Sequence, residues 1–147
     1  MNLSPEVFAE IFRQGAFISA LIAGFSFSFL AVILTSSTRK KAAGWTAGFA
    51  IAATAGLIVC ALGWTLGAPR MLAMAASGSG KTPFQFPDIY STIHRAVSMT
   101  FVVCFFLFLT SLGLGGWIRS TGLGIVSTAI AALAAMYAIW LLHYFII

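Results

Sequence analysis

The feature that most constrains this sequence is its last third, where two runs, Ala96 to Ile118 and Gly122 to Ile147, each exceed 20 residues without an interior charge. A helix rises ~1.5 Å per residue and the hydrocarbon core of a bilayer is ~30 Å thick, so each run is long enough to cross it. The few residues between them allow only a tight turn, predicted over Gly115 to Gly122, and the runs therefore form a hairpin of two antiparallel spans. The chain's two histidines bracket that hairpin, His94 before the first run and His143 near the end of the second. Counted out from the turn, they stand ~35 Å and ~32 Å away along their helices, at nearly the same membrane depth.

Composition agrees with this reading. Of the 147 residues 61% are hydrophobic and 7% charged, whereas roughly a quarter are charged in a soluble domain. The chain is thus expected to be one integral membrane domain, residues 1–147. The acids are Glu6, Glu10 and Asp88, and the formal charge of +5 comes from Lys and Arg in the leader, the loops and the span ends. That charge suits loops beside anionic lipid. No soluble surface interleaves basic and stacking residues, so nucleic acid is not an expected partner. Cys60 and Cys104 both fall inside apolar runs with no CxxC spacing, and they read as small packing residues.

Taken in order, Ser4-Pro5-Glu6 is a helix start, with a capping hydroxyl, a proline suited to the first helical position and an acid at the positive end of the dipole. Val7, Phe8, Ile11 and Phe12 oppose Glu6, Glu10 and Arg13, which predicts an amphipathic extension lying at the lipid headgroups. The first span follows over residues 16–34. Its acidic leader and long core are the opposite of a signal peptide's basic leader and short core.

The second span covers residues 42–67, and its small residues Gly44, Gly48, Ala52, Gly56 and Cys60 recur at every fourth position. Such a ridge lets another helix backbone approach closely, either within the chain or between subunits. Trp45 and Trp64 near its ends suit interfacial belts. Pro69 is expected to end or kink this helix. A long loop over residues 77–88 comes next, and its Gly80-Lys81-Thr82 only imitates the end of a phosphate-binding loop, because Ala75 stands where that motif needs glycine. Pro87 or Asp88 starts the third helix. The third and fourth spans cover 96–118 and 122–147.

Orientation rests on the basic cluster Arg39-Lys40-Lys41 in the short first loop. Simple counts of basic residues on the two sides tie, and a cluster next to two spans carries the stronger bias. It places that loop in the cytoplasm and both termini outside it, in a bacterial-type inner membrane.

Chemistry has one candidate location. Ser91, His94 and Arg95 stand at i, i+3 and i+4 on one helical face, with His143 at their depth on the neighbouring helix. Neutral imidazoles on facing helices can ligate haem b from both sides, and the arginine can pair with a propionate or a quinone oxygen. The alternatives are a proton or ion relay and an interfacial belt that binds nothing. Ser-x-x-His-Arg resembles the quinone-site signature of the cytochrome b subunit in succinate dehydrogenase membrane anchors. That resemblance implies that Ser91 and Arg95 touch quinone and His94 lies near haem; this chain departs from the family in having two spans ahead of the pattern. Ser19 to Phe25 in the first span is similar to the start of the pore helix of Orai calcium channels, which also have four spans. That resemblance implies an oligomeric channel, but Val32 stands where the Orai filter needs a carboxylate, so calcium selectivity is not implied.

The inventory furnishes no enzyme, since no carboxylate pair, Ser-His-Asp set or ligand-spaced metal cluster is present in the sequence. The expected object is an all-α, four-span bundle with an amphipathic extension, surrounded by lipid and assembled with copies of itself or with other membrane subunits. Its expected role is that of a channel-like or transport-related oligomer; a haem- or quinone-binding anchor and a structural accessory subunit are the alternatives.

Overall fold

The computed structural model describes residues 5–35, 41–77 and 88–146. They form four helices, α1 (Pro5–Thr35), α2 (Lys41–Ser77), α3 (Asp88–Arg119) and α4 (Thr121–Ile146). Each is long and apolar enough to cross a membrane, and the protein is an all-helical integral membrane bundle. The Gly80-Lys81-Thr82 stretch lies outside the described residues.

Helices α1 and α2 pair antiparallel along their whole length. On α1, Phe12, Ala16, Ser19, Ala23, Ser26, Leu30 and Ile33 recur at alternating steps of four and three and form its inward face. On α2, Thr46, Ala50, Ala53, Leu57, Cys60 and Trp64 do the same. This is the spacing of a left-handed coiled-coil seam, built here largely from small residues so that the backbones approach. The Ser26 hydroxyl donates across the seam to the Ala50 carbonyl at 3.1 Å.

The seam redistributes the expected ridge on α2. Gly56 and Cys60 pack on α3: a Cβ added at Gly56 would strike Cys104 Sγ, and the Cys60 thiol donates to the Val97 carbonyl at 3.6 Å. Gly44, Gly48 and Ala52 are exposed, and a Cβ at either glycine would meet nothing within 4 Å. Residues spaced strictly by four advance ~400° per step rather than a full number of turns, so such a stripe winds about 40° each time around a 3.6-residue helix. Its two ends therefore face different neighbours.

The amphipathic extension is the first part of α1 itself, continuous with the span. Its apolar residues Ala9 and Phe12 are buried at 2% and 4% exposure, and Phe12 joins Cys60, Trp64 and Ala68 in one core cluster. That apolar face meets protein and not lipid, because α2 continues through Pro69 to Ser77 and offers a surface for it. The expectation for Trp64 is corrected: the residue is 8% exposed and faces inward, whereas Trp45 at the other end is 69% exposed.

The α3–α4 hairpin is tighter than the expected eight-residue turn. Helix α3 runs to Arg119, α4 begins at Thr121, and Ser120 alone joins them. Its hydroxyl accepts the Leu123 N–H at 3.2 Å and so caps α4. No described glycine has a positive φ; Gly116 serves close approach, since a Cβ there would lie 2.5 Å from the Leu123 carbonyl oxygen. The Ser127 and Thr128 hydroxyls both reach the Gly113 carbonyl, at 2.8 and 3.3 Å, and Trp117 Nε1–H donates to Thr128 Oγ1 at 2.9 Å.

The helices pack in chain order. Among the described residues α4 contacts α3 alone, while α1 touches α3 lightly at both ends, through Phe12 against His94 and Phe29 against Gly115. The result is a compact α1–α2–α3 unit with α4 on its flank. In the most apolar window of α4 6% of residues are buried, against 22–28% in the other three spans.

Candidate functional site

His94 sits where three helices meet. Its ring centroid lies 5.5 Å from that of Phe12 on α1, tilted by 30°, and 5.3 Å from that of Trp64 on α2, at 89°. Phe12 and Trp64 are themselves in edge contact at 5.3 Å and 71°. Edge-to-face arrangements set the positive ring edge of one group against the negative face of the next. The three rings make an aromatic box at one end of the α1–α2–α3 unit.

The local sequence builds the box by exchange of large and small residues. Phe12 on α1 lies over Gly67 on α2, and Trp64 on α2 lies over Gly15 on α1. Each aromatic therefore finds a side-chain-free patch three residues from the other aromatic of the pair. Ala68 and Ala16 complete the floor. His94 comes in from α3, one turn before Val97, which packs on the same cluster.

Polar satisfaction is incomplete in this region. His94 Nδ1 and Trp64 Nε1 are both buried without a hydrogen-bond partner, as is Ser19 Oγ on the α1 seam. A buried polar group left unpaired costs about 1–3 kcal/mol, so two such atoms in adjoining rings need a reason.

The residues expected to share a site divide as follows. His94 faces α1 and α2, and Arg95 beside it is exposed. Ser91 lies in α3 and His143 in α4, but the side chains of both are outside the described residues. Among the described residues, the hydrogen bonds and close approaches between α3 and α4 near their turn come from the flank of α3 bearing Gly113, Gly116 and Trp117. Among the described residues no group of three His, Cys, Asp or Glu can hold a metal ion.

Sequence reasoning missed Phe12 and Trp64 as partners of His94. The available signal was the pairing of each aromatic with a glycine three residues away, Phe12 with Gly15 and Trp64 with Gly67. In the first span, Ser19 and Ser26 are fully buried toward α2, while Phe25 and Phe27 are 60% and 63% exposed.

No family model, curated protein or solved structure matches this chain.

Proposed function

We propose that this chain is a non-enzymatic membrane subunit that works as a channel-like or transport-related homo-oligomer in a bacterial-type inner membrane. The observation that carries this reading is the placement of α4, packed on one neighbour and buried in 6% of its most apolar window. A helix held by one partner leaves its remaining faces to lipid or to further helices. Four helices that bury hydroxyls but no charge among the described residues do not enclose a wide aqueous path, so a conducting route lies between subunits and is lined by apolar or hydroxyl side chains. The exposed stripe of Gly44, Gly48 and Ala52 offers a second surface for the same purpose.

The test is oligomer mass in nanodiscs, followed by ion and solute flux from liposomes. A defined oligomer with flux abolished by Gly48→Leu supports the reading. A monomer without flux overturns it, and a colourless, inactive protein that is stable only with other subunits points to the structural accessory role.

A second reading is favoured by the unpaired His94 Nδ1 and Trp64 Nε1 in the aromatic box: a haem- or quinone-binding anchor subunit. It expects a Soret band in protein purified from haem-replete cells, or quinone co-purifying with it, lost in His94→Ala. A colourless, quinone-free protein counts against it.

A further inference from the structure

Two concavities follow one another on the outside of the α1–α2 pair. The first, about 410 Å³, is lined by Glu10, Arg13, Gln14, Phe17 and Ile18. The second, about 390 Å³, runs between the helices, with Ala20, Gly24 and Phe27 on one wall and Ile58 and Leu62 on the other. Thr54 and Thr65 stand at its two ends, ~16 Å apart along α2. Because Gly15 meets Trp64, Thr65 stands at the level of Gln14, so the second concavity begins where the first lies. Arg13, Phe17, Ala20 and Gly24 fall at i, i+4, i+7 and i+11, a single exposed stripe that links the two.

The two differ in chemistry. In the groove, both threonine hydroxyls are spent on their own helix, Thr54 to the Ala50 carbonyl at 2.8 Å and Thr65 to the Ala61 carbonyl at 2.7 Å. What it presents is apolar, and its floor at Gly24 is open, since an added Cβ would meet nothing within 4 Å. The first concavity carries one carboxylate and one guanidinium, Glu10 and Arg13, 3.9 Å apart with side chains 56% and 64% exposed. Gln14 Nε2 donates to Glu10 Oε1 at 3.3 Å. Depth matches chemistry: Arg13 and Gln14 immediately precede the uncharged stretch over residues 16–34, which spans ~28 Å, so the charged concavity sits at headgroup level and the groove within the hydrocarbon.

An exposed ion pair of this kind is weakly held and readily replaced. A ligand carrying both signs can replace it: a phosphate takes the guanidinium in a bidentate pair, and a primary ammonium donates to the carboxylate. A purely anionic headgroup meets Glu10, and an N-methylated ammonium has no N–H to donate. We propose that this face binds a membrane phospholipid with a phosphoethanolamine-type headgroup, its phosphate on Arg13, its ammonium on Glu10 and an acyl chain in the groove over Gly24. The assignment is independent of the oligomer and cofactor readings.

The test is native mass spectrometry of the full chain in mild detergent, with ethanolamine, choline and glycerol phospholipids of identical acyl chains added at equal concentration. Wild type should retain the ethanolamine lipid about 1.5-fold to fivefold over each of the others, the range that exposed charge pairs sustain. Glu10→Gln should abolish the preference over the glycerol lipid, and Arg13→Gln should lower retention of all three. Gly24→Leu should lower retention of all three with unfolding temperature unchanged, because the new side chain enters open space. Equal retention of the three lipids by wild type, a glycerol-lipid preference, or wild-type retention in Gly24→Leu overturns the proposal.

Discussion

The indole of Trp64 on α2 lies against Gly15 on α1, where an added Cβ would come within 2.8 Å of the ring. One turn nearer the start of α1, Phe12 returns the contact over Gly67. This reciprocal exchange locks the register of α1 on α2 and carries the leader of α1 into the bundle. It also fixes the place at which His94 of α3 can enter.

Gly15→Ala is expected to destabilise the fold by about 1–3 kcal/mol, because the indole must move out of a packed cluster. Gly48→Ala, whose Cβ enters open space, should instead leave stability unchanged or raise it by up to about 1 kcal/mol through helix propensity. Reversible unfolding in mixed micelles compares the two. Equal effects would show that the glycine exchange does not hold α1 in register.

The Trp117 to Thr128 hydrogen bond ties α3 to α4 near their turn. Trp117→Phe and Thr128→Val should each cost about 0.5–1.5 kcal/mol. In a double-mutant cycle the pair should cost less than the sum, since either change alone removes the same bond. Full additivity would place the two side chains apart.

Ser120 caps α4 while forming the whole connection between helices. Ser120→Ala should cost about 1 kcal/mol and Ser120→Gly only a few tenths. Protease sensitivity of the hairpin should rise in the same order. A Gly variant worse than Ala would assign the cost to backbone freedom rather than to the cap.

His94→Phe keeps a ring between Phe12 and Trp64 and removes the unpaired Nδ1. In ligand-free protein it should leave unfolding unchanged or stabilise the fold by about 1–3 kcal/mol, the cost of an unmet buried polar atom. A clear loss of stability would mean that the imidazole has a partner in the membrane, and would strengthen the cofactor reading.

Much of the architecture was legible in the sequence. Asp88 as the start of the third helix follows from the Pro87-Asp88 signal, and the hairpin follows from two long apolar runs with too few residues between them. The location of His94 at the head of α3 was equally legible. Its surroundings were not. In a helix that is apolar on every side, hydrophobic periodicity does not separate the face that meets protein from the face that meets lipid. Phe12 and Phe17 are both large apolar residues on α1, yet one is 4% and the other 68% exposed.

What the sequence determined by itself was the number of membrane-spanning helices and the antiparallel pairing of the last two, because span length and loop length are properties of the chain alone. Only the tertiary structure decided which small residues serve packing. Gly15 and Gly67 are filled by aromatics of the opposite helix, Gly56 by Cys104, while Gly24, Gly44 and Gly48 face open space. That choice depends on the registers of α1 on α2 and of α2 on α3. Those registers are set by the fit of Phe12, Trp64 and Cys104 into specific gaps, a three-dimensional condition that a linear spacing rule does not contain.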